Sequence, residues 1–367
     1  MRRVLLVSHT YVDPASRGKL VALAARDLDL TVGVPQRWVE PGLGRPIETT
    51  WERKNGVEVF PIPTRDPGHP EESRFGRRAL LALLRDKRPD LVQVEEEPTS
   101  RAARQVIALA GKLGLPVVLH TRNRGEPPLP VMGRWRRRRA LRRLKGATAE
   151  SEAAAELVRR DAPDLPVTVV PQLGVPVPHA PEHVPHEGLA IGFVGRLVPE
   201  KGLDTLLLAL GRLRSEAWHL VVAGDGPDRE RLEQLASDLR LAARVRWTGA
   251  LPRDRLQGLW AELDVLVAPA RAAAARTELT GHLVLEAMAY EVAAVGSDVG
   301  VLPEVIGDAG LVVAPGDDGA LARALVDLTD PAFRRPLAAR GRARVMQQYS
   351  DDAVAERTVA FWRELVR

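Results

Sequence analysis

Two short stretches hold the residues best suited to chemistry. The first is Gly195-Arg196-Leu197-Val198-Pro199-Glu200-Lys201-Gly202, directly after the apolar run at 191–194. A glycine at a strand end lets the backbone approach a ligand. Arg and Lys five apart can converge on one anion, and a guanidinium fork with an ammonium point charge suits a diphosphate whose charge grows as it leaves. The same residues also read as a polar strand-to-helix loop with two solvated cations. The second stretch is Glu278-Leu279-Thr280-Gly281-His282-Leu283-Val284-Leu285-Glu286-Ala287-Met288-Ala289. Residues 283–289 read as the opening of a buried helix with Gly281 just before it. Free N–H groups at such a start bind anions, and glycine leaves them room. Glu278 falls on the loop and Glu286 inside the helix, so the carboxylates suit different hydroxyl groups of one ligand. The alternative is an amphipathic helix whose acids face water.

The elements that must position these residues are legible as alternating short apolar runs and helical periods. In the first half the runs are 4–8, 30–34, 57–63, 91–95, 117–121 and 168–171; in the second they are 189–195, 219–224, 245–249, 265–269, 293–297 and 310–315. Continuous apolar strands alternating with helices predict parallel sheets covered on both faces. Two sets of about six predict an α/β chain of two doubly wound domains. Prolines at 171, 176, 178, 181 and 185 mark a stiff linker between them. The expected layout is an N-terminal domain over 1–175, a linker over 176–187, and a C-terminal domain over 188–349. The helix at 350–367 packs back on the first domain. Ligands of such sheets bind beyond the carboxyl ends of the strands, which predicts a site in the cleft between the two.

Composition narrows the class. The chain has 367 residues, enough for two cores, and 45% of them are hydrophobic. It has no cysteine, which removes disulfides and thiolate metal sites. No apolar run approaches the roughly 18 residues a membrane span needs, and 1–8 reads as a first strand rather than a leader. Both imply a cytoplasmic protein. The net charge of +5 is modest for the length, and no nucleic-acid partner is expected. His179, His183 and His186 lack metal-ligand spacing, while Asp317-Asp318 and Asp351-Asp352 read as helix N-caps.

The order of the motifs resembles family 4 of the retaining glycosyltransferases with the GT-B fold, known also as glycosyl transferases group 1. Gly195-Arg196-Leu197 with Lys201-Gly202, Ala223-Gly224-Asp225-Gly226, Thr248-Gly249, the run at 265–269, Glu278 with Glu286-Ala287-Met288-Ala289, and the segments at 301–306 and 310–313 follow the family's order over nearly the whole second half. In the first half, the stretch at 89–98, which includes Glu96, is similar to an acidic loop of some bacterial members, and His120 is similar to the family's strand-end histidine.

The resemblance implies two Rossmann-like domains with their parallel sheets facing across a cleft. It also implies sugar transfer from a UDP- or GDP-sugar to an acceptor hydroxyl of a sugar, a lipid-linked molecule or a small molecule, without metal or other cofactor. Arg196 and Lys201 would neutralise the donor diphosphate, and Glu286 would hold the ribose. Glu278 would contact the transferred sugar, while His120 would support charge at its anomeric centre. Gly195, Gly224, Gly249, Gly281, His282, Leu283 and Val284 complete the donor side, with Gly18 and Glu96 on the acceptor side. The chain departs from the family pattern at Ala270, Thr280 and 291–295, and keeps one glycine, Gly18, of an N-terminal pair.

Residues 134–145 form a basic segment, Arg-rich with Trp135, Leu141 and Leu144. It reads either as a solvated helix or as a peripheral contact with the inner face of a membrane. Two other classes stand beside the transferase. One is a decayed GT-B protein acting as a binding partner. The other is an NAD-dependent oxidoreductase, opposed by Ser8-His9-Thr10 standing where a dinucleotide loop needs glycines.

Overall fold

The computed structural model describes residues 1–39, 46–122, 130–181, 183–213, 215–271 and 281–366. The chain forms two compact units: Met1–Gly174 with Asp351–Arg367, and Val175–Ser350.

The first unit is built on strands β1 (Arg3–Val7), β2 (Asp29–Pro35), β3 (Glu52–Lys54), β4 (Val57–Ile62), β5 (Leu91–Val94), β6 (Val117–Thr121), β7 (Gly146–Ala149) and β8 (Val167–Val169). They lie in the order β8-β7-β6-β5-β1-β2-β4-β3. All pairs are parallel except β3 with β4. Successive residues of β1 face opposite sides of the sheet. Val4 and Leu6 join one core cluster with Tyr11, Leu20 and Trp362. Leu5 and Val7 join another with Leu80, Leu83 and Val106. Both faces are covered, which is why these strands read as continuous apolar runs.

The unit has seven parallel strands where about six were expected. The additional strand, Gly146-Ala147-Thr148-Ala149, lacks the bulky β-branched residues that mark the others. Its glycine has a packing reason: a Cβ there would sit 2.6 Å from Leu365 Cδ1. The helix Asp351–Leu365 therefore lies close over β7, and Trp362 Nε1 donates to Gln93 Oε1 on β5 at 2.7 Å. Gly18, expected on the acceptor side, faces the same helix; a Cβ at 18 would lie 2.1 Å from Asp351 Oδ2. That contact accounts for its glycine.

The second unit carries β9 (Leu189–Val194), β10 (Trp218–Ala223), β11 (Val245–Gly249), β12 (Val265–Ala268), β13 (Ala293–Ser297) and β14 (Gly310–Val313). They are all parallel, in the order β11-β10-β9-β12-β13-β14. The expected linker at 176–187 is tied to this unit at its described residues. Val184 N donates to Ala261 O at 2.8 Å, and Arg342 Nη2 donates to Pro178 O at 2.6 Å.

In each sheet the strand order reverses beside the first strand: β1 lies between β2 and β5, and β9 between β10 and β12. Connections leave such a point in opposite directions and open a crevice beyond the strand ends. In the first unit that point is lined by Ser8-His9 and Glu95-Glu96. In the second it is lined by Gly195-Arg196 and Pro269-Ala270.

Candidate active site

In the second unit the crevice is framed by close backbone approaches. Gly195 N donates to Ala223 O at 3.0 Å, Gly224 N to Gly249 O at 2.9 Å, and Leu197 N to Asp225 O at 2.9 Å. Gly224 has φ 155°, and a Cβ there would stand 1.8 Å from Gly195 O. Gly202, at φ 68°, would place a Cβ 1.9 Å from Pro269 O. Gly224→Ala is therefore expected to cost about 1–3 kcal/mol in strain and to weaken ligand binding at the displaced loop. Calorimetric melting and nucleotide titration of the variant check this.

The loop ends in a short turn, Pro199–Lys201, before the helix Leu203–Arg212. Gly281, at φ 54°, caps the helix His282–Ala289. Lys201 and Gly281 line one recess with Ala268, Ala270, Leu283 and Val284. Arg196 is exposed at its sequence position on the loop, and Gly249 ends β11 at φ 71°. A lysine ammonium and a helix N-terminus sharing a cavity make an anion site by charge and by free N–H groups. Glu286 is buried, with its Oε1 3.1 Å from His282 Nε2. Burial and that carboxylate push the Tyr290 hydroxyl above its ordinary pKa. The pair can accept hydrogen bonds from ligand hydroxyls next to the anion site. Glu278, Thr280 and the loop at 272–280 lie outside the described residues.

In the first unit His120 and Glu96 line one pocket with His9, Glu71, Arg122 and Gln172. Glu96 grips His9: Oε1 takes the His9 backbone N–H at 2.7 Å, and its two oxygens lie 2.7 and 2.8 Å from Nδ1. The His9 ring stacks on Trp38 with centroids 4.7 Å apart. Nδ1 so bound fixes the ring and leaves Nε2 as its reactive atom. His120 Nδ1 lies 3.0 Å from Thr148 Oγ1. Its Nε2 is 3.2 Å from Glu150 Oε2 but off line, so this buried nitrogen has no hydrogen-bond partner. Burial, with the neighbouring Glu97 and Glu96, raises the pKa of Glu71 against the hydrogen bond from Thr99. The pocket is therefore rich in acceptors, suited to a polyhydroxylated ligand.

Beneath it, Glu95 is fully buried and takes hydrogen bonds from Lys19 Nζ at 2.6 Å, Tyr11 OH at 2.7 Å and Gln93 Nε2 at 3.2 Å. Burial drives the Glu95 carboxyl up, but the charges of Lys19 and His120 and the hydrogen bonds outweigh it, holding the group below the ordinary range. Burial and Glu95 push Tyr11 well above its ordinary value. Sequence reasoning missed His9, Lys19 and Glu95 as a set. The available signal was the acidic run 95–97 at a strand end together with a lone Lys after Gly18.

Among the described residues no group of three or more His, Asp and Glu is arranged to hold a metal ion. No helix among them is long and apolar enough to cross a membrane.

Two Rossmann-type units, one with a glycine-framed crevice at its switch point, define an α/β chain of the GT-B class. The comparisons agree. The family described as glycosyl transferases group 1 matches residues 179–344, and the glycosyl transferase 4-like domain matches residues 14–172. The 2-deoxystreptamine N-acetyl-D-glucosaminyltransferase of Streptomyces fradiae is 31% identical over 314 residues, covering 78% of this chain and 73% of that one. The sucrose-phosphate synthase of Thermosynechococcus elongatus superposes with a TM-score of 0.74 at 19% identity, covering 100% of this chain and 99% of that one. Anabaena HepE in complex with UDP gives 0.72 at 17% identity, covering 99% of this chain and 100% of that one. The chain belongs to family 4 of the GT-B glycosyltransferases and is a transferase enzyme. Membership sets aside the nicotinamide oxidoreductase.

Proposed function

We propose that the chain moves a sugar from a UDP- or GDP-sugar to an acceptor hydroxyl, with retention at the anomeric carbon and without a metal ion. The observation that carries this reading is the second unit's crevice, where Lys201 and the Gly281-capped helix share one cavity. The donor diphosphate sits there, with Arg196 and Lys201 supplying the positive charge that a divalent ion supplies in other sites. Glu286 holds the ribose, and Glu278 the transferred sugar. HepE, whose structure contains UDP, supports uridine, and the GDP-mannose-dependent mannosyltransferase of Mycolicibacterium smegmatis, 36% identical over 156 residues, supports guanosine.

As the bond from the anomeric carbon to the diphosphate oxygen breaks, the acceptor oxygen bonds to that carbon on the same face. Its proton passes to an oxygen of the leaving diphosphate. His120, with its Nε2 beside the Glu150 carboxylate, supports the charge at the anomeric centre. Glu96 and His9 orient hydroxyl groups in the acceptor-rich pocket. Where the acceptor is lipid-linked, the helix Val131–Leu141 is the membrane contact. Val131, Met132 and Trp135 are exposed there beside arginines, although Arg137 is buried against Asp161 and is unavailable.

Thermal-shift measurements with UDP, GDP, ADP and TDP, each with and without EDTA, test this. One diphosphate should raise the melting temperature by mass action in both conditions. The Arg196→Ala/Lys201→Ala chain should show no shift. Product anomer configuration read by NMR tests retention. No shift with any nucleotide would leave a decayed binding protein as the better reading.

A further inference from the structure

We propose that a basic groove in the first unit holds the phosphate groups of an anionic acceptor, whose hydroxyl end reaches the adjoining carboxylate-lined pocket. The acceptor assignment rests on the transferase reading; anion binding in the groove does not. The groove, an open space of about 1200 Å³, lies between the antiparallel ribbon Thr64–Arg65/Arg74–Phe75 and the helices Arg77–Lys87 and Arg101–Lys112. Among the described residues six cations line it, Arg65, Arg74, Arg77, Arg101, Arg104 and Lys112, and no carboxylate does.

Three features separate this groove from an ordinary solvated face. Arg65 and Arg74 stand directly opposite each other in the ribbon register, where like charges oppose folding. Arg101 has an acidic partner, Glu72, at 2.7 Å, and Arg104 donates to Ser100 O at 3.2 Å. Arg65, Arg74, Arg77 and Lys112 have no ion pair among the described residues. Arg104 is depressed by burial and by the charges of Arg136, Arg101 and Arg74, which the nearby Glu71 offsets only in part. The floor, moreover, is fixed. Gln105 accepts from Phe75 N at 3.1 Å and donates to Phe75 O at 2.7 Å, clamping ribbon to helix. Guanidinium forks converging on a fixed concavity match phosphate in geometry and charge.

The two recesses adjoin. Glu71 and Ser100 line the carboxylate pocket, and Arg101, next in the chain, lines the groove. Arg101 N donates to Glu71 O at 3.0 Å, tying the shared wall together. One ligand can therefore place hydroxyl groups among acceptors and phosphate among donors. The phosphate belongs either to a water-soluble molecule or to a lipid headgroup.

The test uses full-length protein carrying Arg196→Ala/Lys201→Ala, so that the donor crevice does not bind the probe. Tripolyphosphate titrated calorimetrically should bind this parent. Adding Arg74→Ser/Arg77→Ser, both exposed positions, should weaken it by at least about ten-fold, and Arg53→Ser, an exposed cation outside the groove, should leave it unchanged. Arg65→Ser, on the ribbon, should weaken it too and serves if the double variant does not fold. Cosedimentation with phosphatidylglycerol but not phosphatidylcholine vesicles, lost on adding Arg74→Ser/Arg77→Ser, assigns the groove to a lipid headgroup. Tripolyphosphate binding without vesicle capture assigns it to a water-soluble phosphate. No binding of either probe by the parent, or binding that survives the groove variants, overturns the proposal. Nucleotide binding by the chain with Arg196 and Lys201 intact reports on the transferase reading separately.

Discussion

Replacing Lys201 by alanine is expected to lower kcat/KM for sugar transfer by about 100- to 1000-fold. The half-buried ammonium shares its cavity with the N-terminus of the helix His282–Ala289. Negative charge grows on the departing diphosphate, so a fixed cation there gains interaction as the reaction proceeds, and kcat falls more than binding. The side chain is also not part of either large apolar cluster of its unit, so the melting temperature should stay near that of the unaltered protein. Initial rates over a range of donor concentrations, with melting measured in parallel, check the expectation. A change confined to KM would mean that Lys201 binds donor and transition state equally.

Glu95→Ala is expected to destabilise the first unit by about 3–5 kcal/mol, because it strands Lys19 as a buried charge without its carboxylate. The Lys19 side chain is 2% exposed and the Glu95 side chain 0%. Removing both charges with Lys19→Met/Glu95→Leu should recover much of the loss, since an apolar pair of similar volume avoids desolvation altogether. Denaturant unfolding of the three variants measures this. The pH dependence has a definite sign. The folded Glu95 carboxyl lies below its ordinary range, so its stabilising effect is complete above the unfolded pKa. It is lost as pH falls through the depressed folded value. The unaltered protein should therefore lose stability on acidification more steeply than Lys19→Met/Glu95→Leu.

Much of this arrangement could be read from residues alone, and the exceptions have physical causes. All six strands of the second unit were legible: the four central ones are buried on both faces and so nearly uniformly apolar, and the partly buried edge strands β11 and β14 still carry apolar residues such as Val245, Trp247, Leu311 and Val313. In the first unit β7 was not, because a closely packed helix requires small residues where the pattern expects large ones. The short strand β3 is a half-exposed charged edge, Glu52-Arg53-Lys54, and carries no apolar signal. At the site, the glycines and Lys201 were visible since a loop that must approach another backbone leaves few residue choices. The His9–Glu96 grip was not visible, because its members lie 87 positions apart and only the strand order β5-β1 makes them neighbours. The same holds for Lys19 and Glu95.

The helix Asp351–Leu365 belongs to the first unit although the chain reaches it last. Its Trp362 is fully buried among Val4, Leu6, Leu30 and other residues near the amino terminus. On the ribosome, then, the sheet of the first unit emerges before the helix at 351–365 and must wait, part of one apolar face uncovered, until that helix is released. The second unit, contiguous from Val175 to Ser350, can close in the meantime. Synthesis order and completion order are inverted, so a stop codon shortly before residue 351 would leave the early half unfinished and the late half whole.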